Sequence, residues 1–303
     1  MTTALIVHIV RASLHDGSGL RTVVYFKGCP LRCQWCHNPE SNRPEPEILY
    51  MPQRCVGCGR CTALCPDHHM AFNGKIRYDR EGCARCTRCA EACPSGALAA
   101  CGEPMTVDGI FHEVIKDKDY YDKTSGGVTL SGGECLLYPE FCAQLLDKCK
   151  KAGIHTAVES SLHVPWDHIE SILPVVDAFF IDIKIADPSK HMKYTGSDNA
   201  LIIKNLRALA DIHPNICVRL PLVPGVTDGE NTAQTAAIIN TMGAGVRAVE
   251  LLRYNNMARG KYIALGLPQN PMFDLMPQDE AAMHDIRRNM EAALNRGINL
   301  RIH

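Results

Sequence analysis

The chain has 303 residues, of which 46% are hydrophobic, and a net charge of −1 at pH 7. This length suits one large domain or two modest ones. The near-neutral charge gives no electrostatic reason to expect nucleic acid or an anionic membrane as a partner. The apolar run Ala4–Val10 is short, contains His8 and has no basic segment before it. It is typical of a strand rather than a signal peptide or membrane-spanning helix, and we expect a cytoplasmic protein.

Strand-like and helix-like runs alternate along most of the chain. The predicted strands after the first are Thr22–Phe26, Val128–Leu130, Ile154–Ser160, Ala178–Lys184, Ile216–Val223 and Ala248–Tyr254. The predicted helices are Thr106–Tyr121, Pro139–Lys151, Trp166–Leu173, Asn199–Asp211, Asn231–Met242 and Glu280–Asn295. About six such alternations predict an α/β fold with a parallel sheet. Sheets of this kind carry their chemistry on the loops that follow the carboxyl ends of the strands.

Sixteen cysteines are a large number for this length, and eleven of them lie between Cys29 and Cys93. A disulfide framework belongs to secreted proteins and does not explain such close spacing, so we expect thiolates that are kept reduced for metal. The loop after the strand Thr22–Phe26 contains Cys29, Cys33 and Cys36, spaced C-x3-C-x2-C. Three thiolates leave a four-iron cluster one ligand short.

An internal repeat follows a proline-rich linker at 43–52. Its copies are Cys55–Pro66 (CVGCGRCTALCP) and Cys83–Pro94 (CARCTRCAEACP), each spaced C-x2-C-x2-C-x3-C-P. This is the pattern of bacterial two-cluster ferredoxins, in which the fourth cysteine of each motif ligates the other cluster. The predicted [4Fe–4S] ligand sets are Cys55, Cys58, Cys61 and Cys93 for one cluster and Cys83, Cys86, Cys89 and Cys65 for the other. Two zinc sites are the alternative, but three sulfurs crowded on one loop suit a cubane better.

The remaining cysteines decide whether the first motif gains a fourth ligand. Cys142 and Cys149 on a predicted helix and Cys217 in a predicted strand are typical of small buried hydrophobic residues. Cys101 and Cys135 are left undecided by the sequence. On balance we expect the cluster at Cys29, Cys33 and Cys36 to keep one iron free of protein. His68 and His69 show no ligand spacing.

Several motifs carry a resemblance to a known family. C-x3-C-x2-C with Trp35 before its last cysteine, and SGGE at Ser131–Glu134, resemble the radical S-adenosylmethionine superfamily. Further motifs resemble one branch, the activating enzymes of glycyl-radical enzymes such as pyruvate formate-lyase, in the subset with a two-cluster ferredoxin insert. They are HDGSGLRT (His15–Thr22), CHNPES (Cys36–Ser41), IDIK (Ile181–Lys184), LVPG (Leu222–Gly225) and ARGKY (Ala258–Tyr262).

The resemblance implies a fold and a reaction. Residues 1–49 and 105–303 would form a partial (β/α)6 TIM-like barrel, and residues 50–104 a ferredoxin-like insert with two [4Fe–4S] clusters. S-adenosylmethionine would be cleaved to methionine and a 5′-deoxyadenosyl radical, which abstracts a hydrogen from a glycine of a partner enzyme. A flavodoxin or ferredoxin would supply the electron. The insert would either relay electrons or form docking surface.

The resemblance also implies site residues. Cys29, Cys33 and Cys36, with Lys184 and Asp16, would be catalytic. The cofactor would be bound by Trp35, Gly132, Gly133, Glu134, Asp182, Lys184, Arg219 and Asn255. A monovalent cation would be held by Glu159, Ser160 and Asp182. The sequence departs from the family at Ser18 (usually proline), at Glu159-Ser160 (usually Asp-Thr) and at Asn255 (usually histidine). Asn255 can form hydrogen bonds but cannot titrate.

Structural interpretations compete with these roles. Asp182 and Lys184 could be an ion pair at a strand end, and Arg219 a salt-bridge partner. For the whole chain, the alternatives are a radical maturase that oxidises a side chain of a client protein, or an electron-transfer protein with three clusters. Maturases usually carry further cysteines after the barrel, but no cysteine follows Cys217. A pure electron carrier gains nothing from an open iron.

Overall fold

Strands and helices alternate along the chain. The structure is a computed structural model, and it describes residues 2–66, 69–73, 76–268, 270–295 and 297–302. His68 lies outside these residues. The strands are β1 (Thr3–Ser13), β2 (Arg21–Phe26), β3 (Glu47–Tyr50), β4 (Met70–Phe72), β5 (Ile76–Tyr78), β6 (Leu98–Cys101), β7 (Glu103–Thr106), β8 (Gly127–Gly132), β9 (His155–Ser160), β10 (Ala178–Asp182), β11 (Ile216–Leu222), β12 (Val246–Arg253) and β13 (Asn299–Ile302). The helices are α1 (Arg60–Leu64), α2 (Arg88–Glu91), α3 (Val107–Ile115), α4 (Lys118–Thr124), α5 (Pro139–Lys151), α6 (Trp166–Glu170), α7 (Pro188–Thr195), α8 (Ala200–Ile212), α9 (Glu230–Asn240), α10 (Arg259–Leu265) and α11 (Glu280–Ala293). Short 3-10 helices lie at Pro39–Ser41, Pro52–Arg54, Cys135–Leu137, Leu173–Val175 and Pro271–Asp274.

The main sheet has nine strands in the described part of the chain, in the order β13-β12-β11-β10-β9-β8-β2-β1-β7. Neighbours from β2 to β13 are parallel, whereas β1 and β7 are antiparallel to their neighbours. The predicted α/β fold with a parallel sheet is confirmed. The predicted six parallel strands coincide with β2 and β8–β12, but β13 is a seventh. It was not predicted because its four residues, NLRI, are too few to show a period.

The helices pack on the sheet through apolar stripes. In α5 the side chains of Phe141, Leu145 and Leu146 are almost fully buried, each contributing roughly 1.5–3 kcal/mol of hydrophobic stabilisation. Cys142 and Cys149 lie in the same stripe and are fully buried, so the sequence-based interpretation of these two as core residues is confirmed. None of the described helices is long and apolar enough to cross a bilayer.

One predicted helix is wrong. Residues 106–121 form two helices, α3 and α4, separated at Asp117. The Asp117 carboxylate accepts hydrogen bonds from Arg11 Nε at 2.7 Å and Thr22 Oγ1 at 3.0 Å. These contacts to β1 and β2 hold Asp117 outside helical geometry. They come from residues about 100 positions away, so the local pattern could not predict the break.

The internal repeat folds as two similar halves. In the described residues, β3 pairs antiparallel with β6, and β4 with β5. Each of α1 and α2 is preceded by a residue in the left-handed region, Gly59 with φ 70° and Thr87 with φ 62°. These residues occupy equivalent positions of the two copies. The two copies therefore share a backbone conformation as well as a cysteine spacing.

Candidate active site

A cavity of about 450 Å³ opens where the parallel strands end. Its lining comes from the loops after β2 and β8–β12 and from the loop before β2. These loops meet because parallel strands place their carboxyl ends at the same edge of the sheet. The cavity is lined by most of the sequence-predicted site residues of this part of the chain: Asp16, Cys29, Cys33, Trp35, Cys36, Gly132, Gly133, Glu159, Ser160, Asp182, Lys184, Arg219 and Asn255. Glu134 is the exception.

The three-cysteine loop is fixed against the end of α7. The Arg32 amide donates to the Thr195 carbonyl at 2.7 Å, and the Gln34 amide to the Tyr194 carbonyl at 3.0 Å. These carbonyls are among those that a helix leaves without an internal partner at its carboxyl end. Trp35 is buried against the apolar side of the cavity. The loop is therefore anchored by main chain and by one aromatic ring, and its thiols line the cavity.

The cavity receives no fourth cysteine. All cysteines lie within the described residues, and only those of the three-cysteine loop line it. Cys101 is buried elsewhere, and its thiol donates to the Glu40 carbonyl at 3.5 Å. Cys135 is fully buried behind the loop after β8, where its thiol donates to the Glu159 carbonyl at 3.6 Å. This arrangement supports the expectation of an iron without a protein ligand.

Arg219 on β11 joins three parts of the site. It forms ion pairs with Glu159 on β9 and, at 2.8 Å, with Glu250 on β12. Its Nη2 donates to the main-chain carbonyl of His15 at 2.9 Å, and its guanidinium lies 4.3 Å from the centre of the Phe180 ring. Burial acts to lower the pKa of Arg219, but Glu159 and Glu250 outweigh it and raise the pKa above its ordinary value.

Lys184 forms an ion pair with Asp182 at 2.6 Å. Burial opposes the charge on Lys184, but Asp182 and the nearby Cys33 thiolate raise its pKa above the ordinary value. Each residue predicted to bind a cation has a protein partner: Glu159 pairs with Arg219, Asp182 with Lys184, and Ser160 donates to Glu134. The cation site stays a prediction.

Glu134 does not line the cavity, and its side chain is fully buried. Its carboxylate accepts hydrogen bonds from the hydroxyls of Ser160 and Ser161, both at 2.8 Å, and from the Ser161 amide at 3.0 Å. Burial nevertheless raises the pKa of Glu134. The carboxylate thus joins the loop after β8 to the loop after β9. What this loop presents to the cavity is Gly132 and Gly133.

The loop that carries Asp16 is held by buried groups. The Thr129 hydroxyl donates to the Asp16 carbonyl at 2.8 Å, and Ser13 donates to the Asp16 carboxylate. Arg21, fully buried, donates to Thr129 at 2.6 Å. Gly17 has φ 128°, and a Cβ there would lie 2.9 Å from the Arg21 side chain. The loop therefore requires glycine at this position.

The lining also contains residues that sequence reasoning did not name as site residues, among them His37, Tyr25 and Arg253. His37 Nε2 donates to the main-chain carbonyl of Asn255 at 3.0 Å. Burial lowers the pKa of His37, so its ring is neutral near pH 7. The signals for it in the sequence were its position next to Cys36 and its place in the motif CHNPES.

The eight cysteines of the repeat gather around two smaller cavities. One is lined by Cys55, Cys58, Cys61 and Cys93, and the other by Cys65, Cys83, Cys86 and Cys89. These are the two predicted sets, including the exchange of the fourth cysteine. No three His, Cys, Asp or Glu side chains of the described residues lie close enough to hold a single metal ion.

Comparisons with known proteins agree with the site. Residues 85–236 match the Radical SAM superfamily, and residues 47–94 match the 4Fe-4S dicluster domain. The chain is 42% identical to the (2S)-3-sulfopropanediol dehydratase activating enzyme of Klebsiella oxytoca, over 87% of this chain and 86% of that protein. It is 39% identical to the trans-4-hydroxy-L-proline dehydratase activating enzyme of Clostridioides difficile, over 95% and 96%. A radical SAM methyltransferase from Sphaerobacter thermophilus, 11% identical, shares the fold with a TM-score of 0.54 over 99% of this chain and 77% of that one.

The cavity, its three thiols and these matches define a radical SAM protein with iron–sulfur clusters. The chain belongs to the Radical SAM superfamily and, within it, to the activating enzymes of glycyl-radical enzymes, as its motifs predicted.

Proposed function

We propose that this protein activates one glycyl-radical enzyme by installing the radical on a glycine of that partner. The observation that carries the proposal is the cavity with three thiols and no fourth. The donor set fits a [4Fe–4S] cluster with one open iron, because three thiolates cannot fill four positions. Cys29, Cys33 and Cys36 would hold this cluster, and S-adenosylmethionine bound at the open iron would supply the radical chemistry for hydrogen abstraction from the partner's glycine.

The chain's own residues orient the cofactor and exclude water. The main chain at Gly132 and Gly133 would meet the methionyl amino group. Lys184 and Arg219, both charged, would face its carboxylate. Trp35, Asp182 and Asn255 would line the remainder. A radical of this reactivity requires a closed, well-oriented site, and the anchored loops around the cavity support that role.

The finer architecture belongs to the same proposal. The open parallel sheet of residues 1–49 and 105–303 would be a partial (β/α) barrel, with residues 50–104 as the insert. The protein would hold three [4Fe–4S] clusters, one at Cys29, Cys33 and Cys36 and two in the insert. Its electron donor would be a flavodoxin or ferredoxin, and its compartment the cytoplasm. A monovalent cation at Glu159, Ser160 and Asp182 would have to displace the ion pairs described above.

Asp16 would lie beside the partner's glycine. Its loop is at the rim of the cavity and is held by buried groups rather than by the cofactor. The names of the relatives refer to partners with different substrates. We therefore propose that the chain recognises the partner enzyme and not the substrate of that enzyme.

The test is electron paramagnetic resonance of a candidate partner after anaerobic incubation with the reduced protein and S-adenosylmethionine. We expect the doublet of a glycyl radical, together with one 5′-deoxyadenosine per radical. Asp16→Asn should retain cofactor cleavage without partner but lower the doublet, about tenfold or more. If cleavage occurs but no partner with a glycine-radical motif gains a doublet, a maturase function replaces this proposal.

A further inference from the structure

The two copies of the ferredoxin repeat differ in surface charge. Residues 53–66 carry Arg54 and Arg60 and no acidic residue, whereas the equivalent residues 81–94 carry two arginines and two glutamates. Arg54 and Arg60 are exposed and form no ion pair within the described residues. The first copy therefore presents a net charge of +2 and the second a net charge of zero.

The two copies also differ in their attachment to the rest of the chain. Arg80, just before the second copy, donates to the main-chain carbonyls of Ile48 at 2.7 Å and Ala264 at 2.6 Å. Arg85 lies 3.8 Å from Glu45 in the entering linker. By contrast, no hydrogen bond or ion pair from the described residues 52–66 reaches beyond the insert. The second copy is thus tied directly to residues outside the insert, whereas the described residues of the first copy form no such hydrogen bond or ion pair.

The free face of the first copy also exposes sulfur and apolar surface. Val56 is 68% exposed, and Cys58 is exposed between Arg54 and Arg60. Cys86 is exposed at the equivalent position, but residues 81–94, which contain it, carry no net charge. An electron-transfer partner needs a short path to a cluster edge, and small contacts of this kind are guided by opposite charge.

We infer that the face formed by Arg54, Val56, Cys58 and Arg60, the donor face, is where a small acidic one-electron carrier docks. This inference rests on the proposed function. The carrier gives one electron to the cluster at Cys55, Cys58, Cys61 and Cys93 and is itself oxidised by one electron. The electron then passes to the cluster at Cys83, Cys86, Cys89 and Cys65, which is the one tied to the barrel. The insert is a relay with a fixed direction.

The repeat supplies a matched pair of variants for the test. Arg60→Glu and Arg88→Glu reverse a charge at equivalent positions, the first residues of α1 and α2. The protein with reconstituted clusters is mixed anaerobically with a reduced acidic flavodoxin, without S-adenosylmethionine. Bleaching of the visible iron–sulfur absorbance then reports cluster reduction. A parallel series with dithionite reports reduction by a small reagent.

At low salt we expect Arg60→Glu to slow reduction by flavodoxin about tenfold or more, and Arg88→Glu to change it less than about twofold. The rate for the unmodified protein should fall as salt rises, and the rate for Arg60→Glu should depend on salt much less. Reduction by dithionite should be equal in all three. If Arg60→Glu fails to hold its clusters, Arg54→Glu takes its place.

Equal rates of cluster reduction by flavodoxin in Arg60→Glu and Arg88→Glu would contradict the assignment of the donor face. A larger decrease in that rate in Arg88→Glu would contradict it as well. Normal flavodoxin rates with impaired glycyl-radical formation in Arg60→Glu would also overturn it and would assign this face to the partner enzyme. Failure of the proposed function is separate, because it would appear as absent cofactor cleavage under dithionite in the unmodified protein.

Discussion

At the scale of single residues, the Glu134 carboxylate forms hydrogen bonds within its own loop and to the neighbouring one. Its carboxylate accepts hydrogen bonds from the hydroxyls of Ser160 and Ser161 and from the main-chain amides of Ser161 and Leu136. A buried acceptor with several donors aimed at it is costly to replace, because each donor then loses its partner. We therefore predict that Glu134 positions Gly132 and Gly133.

Glu134→Gln should destabilise the protein by about 2 kcal/mol, since the amide nitrogen would face hydroxyl and amide donors. Affinity for S-adenosylmethionine should fall with the loss of loop order. The measurement is anaerobic thermal unfolding, paired with cofactor binding by calorimetry. Glu113→Gln, at an exposed ion pair with Lys116, is the control and should leave the free energy of unfolding nearly unchanged, because exposed ion pairs contribute little. Weaker binding with unchanged stability would show instead that the carboxylate contacts the cofactor.

Tyr78 provides a second prediction at this scale. Its hydroxyl donates to the thiol of Cys83 at 3.3 Å. A hydrogen bond to a cluster thiolate stabilises the reduced form, which carries more negative charge. Tyr78→Phe should therefore lower the reduction potential of one insert cluster. The expected decrease corresponds to a change of up to about tenfold in the equilibrium constant for the one-electron reduction of that cluster. Potentiometric titration followed by electron paramagnetic resonance measures this. Tyr120→Phe, at an exposed ring, should leave all potentials unchanged. An unshifted potential in Tyr78→Phe would remove this tuning role.

At the scale of elements, α7 and the turn after it support the three-cysteine loop. His191 in α7 is fully buried, and its Nδ1 donates to the Ser197 carbonyl at 2.6 Å. Its Nε2 has no partner among the described residues. A second proton on this ring would thus be a buried donor without an acceptor, and burial lowers the pKa of His191.

The sign of the pH dependence follows from that lowered pKa. The unfolded chain binds a proton at His191 near pH 6.5, whereas the folded chain resists it until lower pH. The contribution of His191 to the free energy of unfolding is therefore at its full value above about pH 6.5. This contribution is lost as the pH falls below that value. His191→Asn keeps an N–H donor and removes the titration, so its unfolding temperature should fall less between about pH 7.5 and pH 5.5. Parallel decreases in the two proteins would contradict this account of α7.

The elements themselves were largely predictable, because strands buried on both faces and amphipathic helices have clear local patterns. The cysteine sets were predictable for the same reason, since their spacing is local. The ion pair between Asp182 and Lys184 was one interpretation of the sequence, and it forms in the structure. The partners of Glu159 and Arg219 were not predictable. They depend on the register of β9, β10 and β11, in which Phe180 lies beside Glu159, and Asp182 beside Arg219. The orientation of Glu134 depends on Gly132, whose φ of 114° turns the chain at the end of β8.

At the scale of the whole molecule, three groups of cysteines are kept apart by the fold. One group lies at the carboxyl edge of the main sheet, and two lie in an insert attached through Arg80, Arg85 and the strand β3. Two further cysteines, Cys101 and Cys135, could have added a ligand to one of these groups. Both are buried, and their thiols donate to main-chain carbonyls instead. On the proposed assignment, this separation would allow one cluster to keep an open iron while the other two carry electrons.

The most direct test of this separation is to count clusters by Mössbauer spectroscopy and to measure cofactor cleavage under dithionite, in the unmodified protein, in Cys33→Ala and in Cys135→Ala. We predict three [4Fe–4S] clusters with cleavage in the unmodified protein and in Cys135→Ala, and two clusters without cleavage in Cys33→Ala. Cleavage that survives in Cys33→Ala, or a cluster lost from Cys135→Ala, would contradict the open-iron site.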